Sequence, residues 1–114
     1  MAKKMQAVFG KTKLKLEVAE DKAKGLMDRR SLGKEAGMIF VFPFDSFWPF
    51  WMKNVKFPLD LIFIDSKFKI VDIKEGKPNS EKMILSGKPA RMVIEANAGF
   101  CSKNKIKAGD KVTI

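Results

Sequence analysis

Between Thr12 and Val18 the chain alternates, with Leu14, Leu16 and Val18 apolar and Lys13, Lys15 and Glu17 charged. A period of two does not suit an amphipathic helix, whose apolar stripe returns every third or fourth residue. It suits a strand with one buried face. Short apolar runs recur downstream: Met38 to Phe42, Phe50 to Val55, Leu59 to Ile64, Phe68 to Glu75, Arg91 to Ala96 and Lys111 to Ile114. Turn formers such as Asp65-Ser66-Lys67 and Ala108-Gly109-Asp110 separate them. Met5 to Phe9, then Gly10-Lys11, then Thr12 to Val18 reads as a hairpin. The pattern predicts an α+β fold that is predominantly antiparallel β. Either a small, partly closed barrel or two packed sheets, with one or two short helices, would protect the strand edges.

The predicted helices are short. One runs from about Ala19 to Asp28, with Glu20 and Asp21 in its first turn, where the helix dipole favours negative charge. Ala23, Leu26, Met27 and Arg30 form its inward stripe, and Gly25 inside it costs about 1 kcal/mol against alanine. A second turn or helix spans Ala98 to Asn104. Pro43 to Pro49 reads as a loop that nevertheless carries Phe44, Phe47 and Trp48. Gly76 to Pro89 is a long polar loop with one helical turn near Met83.

A chain of 114 residues, 46% hydrophobic, has material for one packed core, and a single domain over residues 1–114 is expected. No apolar run reaches the roughly eighteen residues of a membrane span. The N-terminus is basic and lacks the apolar stretch of a leader, so the expected location is cytoplasmic. Histidine and tyrosine are absent and Cys101 is the single cysteine. Ser-His-Asp and Cys-His catalysis and the usual zinc sites are thereby excluded. Gly25, Gly33 and Gly37 do not fall at phosphate-loop spacing, and neither a cofactor nor a metal is expected.

The net charge of +10 comes from 23 basic residues, all lysine except Arg29, Arg30 and Arg91. Many lysines alternate, as Lys11, Lys13, Lys15 and Lys103, Lys105, Lys107 do, which describes a solvated strand face that discourages edge pairing. Non-specific attraction to nucleic acid is the weaker alternative, since lysine reads bases less well than arginine. The same composition suits a thermophile.

The chemistry that remains is carboxylate, lysine and aromatic. Asp60 interrupts an apolar strand on the side of Ile62 and Ile64. A carboxylate there is either a base or ligand anchor, or a structural pair or cap beside Pro58. Glu95 shares a strand face with Arg91, Val93 and Asn97, and is either an outer-face partner of Arg91 or part of a polar pocket. Trp48 and Trp51, with Phe44, Phe47 and Phe50, form an aromatic platform or a piece of core or dimer interface. Lys53 and Asn54 follow directly, and Lys53 is either a ligand anchor or a solvated stem packed on a ring. Arg29 and Arg30 read as caps on the helix end, and Cys101 as a packing residue.

Trp48, Trp51, Lys53, Asn54, Asp60 and Glu95 are accordingly the candidate binding residues of a domain that holds a small molecule, sugar or peptide. The alternatives are a His-free hydrolase or lyase using Asp60 and Glu95, and a basic nucleic-acid-associated protein. No membrane partner is expected, and the chain reads as a monomer or weak dimer.

Three long words carry a resemblance: Gly37 to Phe42, Phe50 to Asn54, and Pro58 to Asp65. They are similar to the hallmark of an uncharacterised family, domain of unknown function 192. Glu17-Val18-Ala19, Gly25-Leu26-Met27 with Arg29, Ser31-Leu32, Ile94 to Gly99 and Gly109-Asp110 agree with it in order. The chain departs from the pattern at Val55, where the family commonly has threonine, so a hydroxyl role is not carried over there. The resemblance implies a compact, mostly β domain and supplies no activity.

Overall fold

The computed structural model describes residues 4–114; the first three residues of the basic start, Met1–Lys3, lie outside them. Six strands form one mixed sheet. They are β1 (Lys4–Phe9), β2 (Thr12–Val18), β3 (Ala36–Ser46), β4 (Leu59–Ile64), β5 (Ile70–Gly76) and β6 (Ala90–Asn97), in the spatial order β1-β2-β3-β6-β4-β5. Every pairing is antiparallel except β2 with β3. Among the described residues a single short helix, α1 (Phe100–Lys103), follows β6. The expected β-rich architecture holds, as one sheet rather than two and without closure by a continuous ladder. The predicted hairpin is β1–β2, turning at Gly10 with φ +62°.

Both faces of the sheet are core. One carries Leu14, Leu16, Ile39, Ile62, Ile64 and Ile94, covered by Cys101, Ile106 and Val112 from the C-terminal segment. The other carries Met38, Phe40, Leu61, Phe63 and Val93, covered by Leu26, Met52 and Val55 from loops. β4 is therefore buried along its whole length, and β6 is buried from Met92 to Ala96. Arg91 stays partly exposed at the end of β6, where its Nε donates to the Phe42 carbonyl at 3.1 Å. Each large apolar side chain so buried contributes roughly 1.5–3 kcal/mol.

Several local expectations give way to this arrangement. Residues 19–28 are not a helix. Gly25 and Asp28 have φ of +47° and +64°, and Asp21 Oδ1 accepts the amides of Ala23 and Lys24, so the segment is a string of turns. Residues 20–24 are all exposed, leaving a helix there too little apolar surface to bury. The turns nonetheless make the crossover that the parallel β2–β3 pair requires. Arg29, freed from a helix end, forks onto Glu17 of β2 at 2.8 and 2.7 Å.

β3 runs on through Pro43 to Ser46, with its register to β6 shifting between Val41 and Ser46, as a proline without an N–H demands. Residues 50–55 are loop, not strand: Phe50 bridges to Ile84 and the Met52 amide donates to the Ser80 carbonyl. The turn expected near Met83 is this bridge. At the end of the chain, isolated bridges replace a strand, joining Lys111 to Lys69 and Thr113 to Val8.

Candidate functional site

Three connections pack over the second face: residues 19–35, 47–58 and 77–89. Backbone hydrogen bonds tie them together. The Asp28 amide donates to the Asn54 carbonyl (2.9 Å), the Asn79 amide to Val55 (2.9 Å), and Phe50 and Ile84 exchange both bonds (3.0 and 2.7 Å). Asn54, at φ +58°, thus serves as a joint between two loops.

Between these loops and the sheet lies a cleft of about 210 Å³. Phe40, Phe42, Phe50 and Trp51 supply its aromatic lining, and Glu95 reaches it from β6. The rings are held edge to face: Phe50 lies 5.0 Å from Phe40 and 6.0 Å from Phe63. The backbone of residues 22–27 passes over the cleft. A Cβ built on Gly25 would stand 3.1 Å from Phe40 and 3.9 Å from Glu95 Oε1, and the positive φ also disfavours a side chain there. Lys22 and Lys24 belong to the same lining, and Lys22 Nζ sits 5.6 Å from the centroid of Phe42.

Glu95 is 3% exposed, and among the described residues its carboxyl takes part in no ion pair and no side-chain hydrogen bond, its oxygens keeping only a small opening onto the cleft. Burial alone raises its pKa to about 8. At neutral pH it is therefore a neutral acid that can donate one hydrogen bond and accept another.

The other candidates separate. Trp51 joins Glu95 in the cleft, with Lys53 Nζ 5.1 Å over its ring. Trp48 stacks on Phe42 at 4.5 Å, outside the cleft lining, its Nε1 donating to the Phe44 carbonyl. Asp60 lies on the opposite face. Leu61 and Glu95 are register partners, so Asp60, one residue earlier, points the other way, and its Oδ2 accepts the Cys101 amide at 3.0 Å. The sheet stands between the two carboxyls. Cys101 is correspondingly inert: burial first, then the charge of Asp60 and a hydrogen bond to it, push its thiol up to about 12.

Sequence reasoning missed Gly25, Phe40, Phe42, Lys22 and Lys24 as cleft residues. The available signal was Gly25 within a polar run ending at Asp28, which marks turns as readily as a helix. A second, larger groove of about 740 Å³ is lined by Lys11, Lys13, Lys34 and Lys103 beside α1, without a buried polar group of its own. No cluster of metal-ligating side chains occurs among the described residues, and no helix there is long and apolar enough to cross a membrane.

Known proteins agree with this architecture. A conjectured transcription regulator from Sinorhizobium meliloti 1021 is 32% identical, with a TM-score of 0.87 over 99% of this chain and 93% of its own. A protein of unknown function from Novosphingobium aromaticivorans DSM 12444 is 34% identical, with a TM-score of 0.88 over 97% of this chain and 85% of its own. No curated protein matches the chain. The family model described as "Uncharacterized ACR" matches residues 5–114, and the chain belongs to that family, domain of unknown function 192.

Proposed function

We propose that this is a binding domain for a small molecule, or for one ring or side chain of a sugar or peptide, received in the cleft over Glu95. The observation that carries the reading is Glu95 itself. Burying a carboxyl without a partner side chain is costly, and carboxyls perturbed by burial inside a cleft cluster at functional sites. The volume suits a single ring, since a cavity of about 150 Å³ already holds benzene.

The hydrolase alternative loses support because Asp60 and Glu95 face opposite sides of the sheet. The conjectured regulatory role of the Sinorhizobium neighbour is compatible with a ligand-sensing domain. We place the domain in the cytoplasm, as a monomer or weak dimer.

A thermal-shift screen of small metabolites, monosaccharides and short peptides tests the proposal. Hits should be lost in Trp51→Ala and in Gly25→Val, which fills the cleft, and kept in Trp48→Ala and Lys13→Ala. Hits indifferent to the first two variants would place binding elsewhere.

A further inference from the structure

The cleft has a chemical polarity that narrows its ligand: aromatic carbon on its walls, one acid at depth, and two lysines in its lining. Resting on the cleft being a binding site, we propose that its ligand is a nucleoside monophosphate. The base lies against Phe42, Phe50 and Trp51 with its hydrogen-bonding edge on Glu95, and the phosphate meets Lys22 and Lys24.

Each part of the lining has a matching part of such a ligand. Flat heteroaromatic rings stack on aromatic side chains whatever their identity. A neutral carboxyl presents a donor and an acceptor side by side, as a glutamine amide does, and purine and pyrimidine edges present the complementary pair. An ionised Glu95 would only accept. The lysines complete the match, because they attract a phosphate. They also argue against an organic cation, which would have to pass Lys22 and Lys24 and then ionise the buried acid.

Among the described residues no fixed charge pairs with Glu95 in either state. β3 and β4 place Met38 and Leu61 opposite it, and residues 49–55 line the cleft with Pro49, Phe50, Trp51 and Val55. Lys22 and Lys24 are the charged groups of the lining, Lys53 lies over Trp51, and Asp60 is across the sheet.

The test is titration of AMP and CMP, whose bases do not lose a proton in the range used, followed by calorimetry and by quenching of tryptophan fluorescence. The phosphate keeps its charge from pH 7 to 9, its second pKa being about 6. Affinity should be about tenfold weaker at pH 9 than at pH 7, as Glu95 ionises. Glu95→Gln, with a permanent donor, should bind and lose that dependence, which assigns it to Glu95. Lys22→Ala combined with Lys24→Ala, both at exposed positions, should reduce AMP to the affinity of adenosine.

The proposal is overturned if adenosine binds wild type as tightly as AMP, if inorganic phosphate competes equally, or if affinity rises with pH. It is also overturned if neither nucleotide binds while other library hits still depend on Trp51 and Gly25; the cleft then remains a binding site for a different ligand. If no compound binds through the cleft, both readings fall.

Discussion

At the scale of single residues, the two buried carboxyls differ in what satisfies them. Asp60 is engaged: it accepts the Cys101 amide and so fastens α1 to the first face. Asp60→Ala should destabilise the domain by about 1–3 kcal/mol, the cost of leaving a buried amide unpaired, whereas Asp60→Asn should cost less because its oxygen can still accept. Urea unfolding of both variants checks this. Glu95 is not engaged, and its pKa in the folded protein lies above the ordinary 4.5 at about 8. Its contribution is therefore fully present below about pH 4.5, is lost as pH rises towards 8, and stays lost above. Relative to Glu95→Gln, wild type should lose a few kcal/mol of stability between pH 5 and 8, measured by denaturant midpoints across that range. A flat difference would mean that the carboxyl is paired in solution. Alternation alone set Asp60 beside Ile62 and Ile64, but it could not say that the face bearing Val93 and Glu95 is also covered. In sequence, a polar residue on an outer face and one under a loop look alike.

At the scale of elements, strands were legible where alternation marked them, as in β2, or where a short apolar run was bounded by turn formers, as in β1 and β4. Connections were not. The apolar residues of 50–55 fill the second core from a loop, and their density resembles that of a strand. Residues 19–35 depend on remote anchors, among them the buried Leu26, the Asp28 amide on the Asn54 carbonyl and Arg29 on Glu17. The hydrogen bond from Arg29, with its charge, holds the Glu17 carboxyl below its ordinary pKa. The pair thus stabilises above the ordinary carboxylate range and is lost as pH falls through the lowered value. Because both partners are partly exposed, Arg29→Ala should cost only about 0.5–1 kcal/mol in thermal or urea unfolding at pH 7. Where β3 meets β6 the tolerance is far smaller. A Cβ at Gly37 would lie 2.8 Å from the Glu95 carbonyl oxygen and 2.9 Å from Leu14 Cδ2. The carbonyl belongs to a paired strand and cannot retreat, so Gly37→Ala should lower stability by about 1–3 kcal/mol, read from the urea midpoint.

At the scale of the whole molecule, a single sheet clad on both faces places its most protected backbone in the middle. β6 and β4 lie inside the strand order and are the most buried, while the cladding on the second face is loops outside the strand ladder. Amide exchange should be slowest in Leu61 to Phe63 and Val93 to Glu95, and faster by orders of magnitude in residues 20–30. Uniform exchange would contradict that hierarchy. By itself the sequence determined the β-rich class, the hairpin, the family resemblance, and a chemistry restricted to carboxylates, lysines and aromatic rings. Those follow from local periodicity and from which residue types are present or missing. Only the tertiary structure decided that Asp60 and Glu95 are separated by the sheet, that Trp51 rather than Trp48 lines the cleft, and that Gly25 passes over the acid. Burial depends on which distant segment covers a face, and no local pattern encodes that choice.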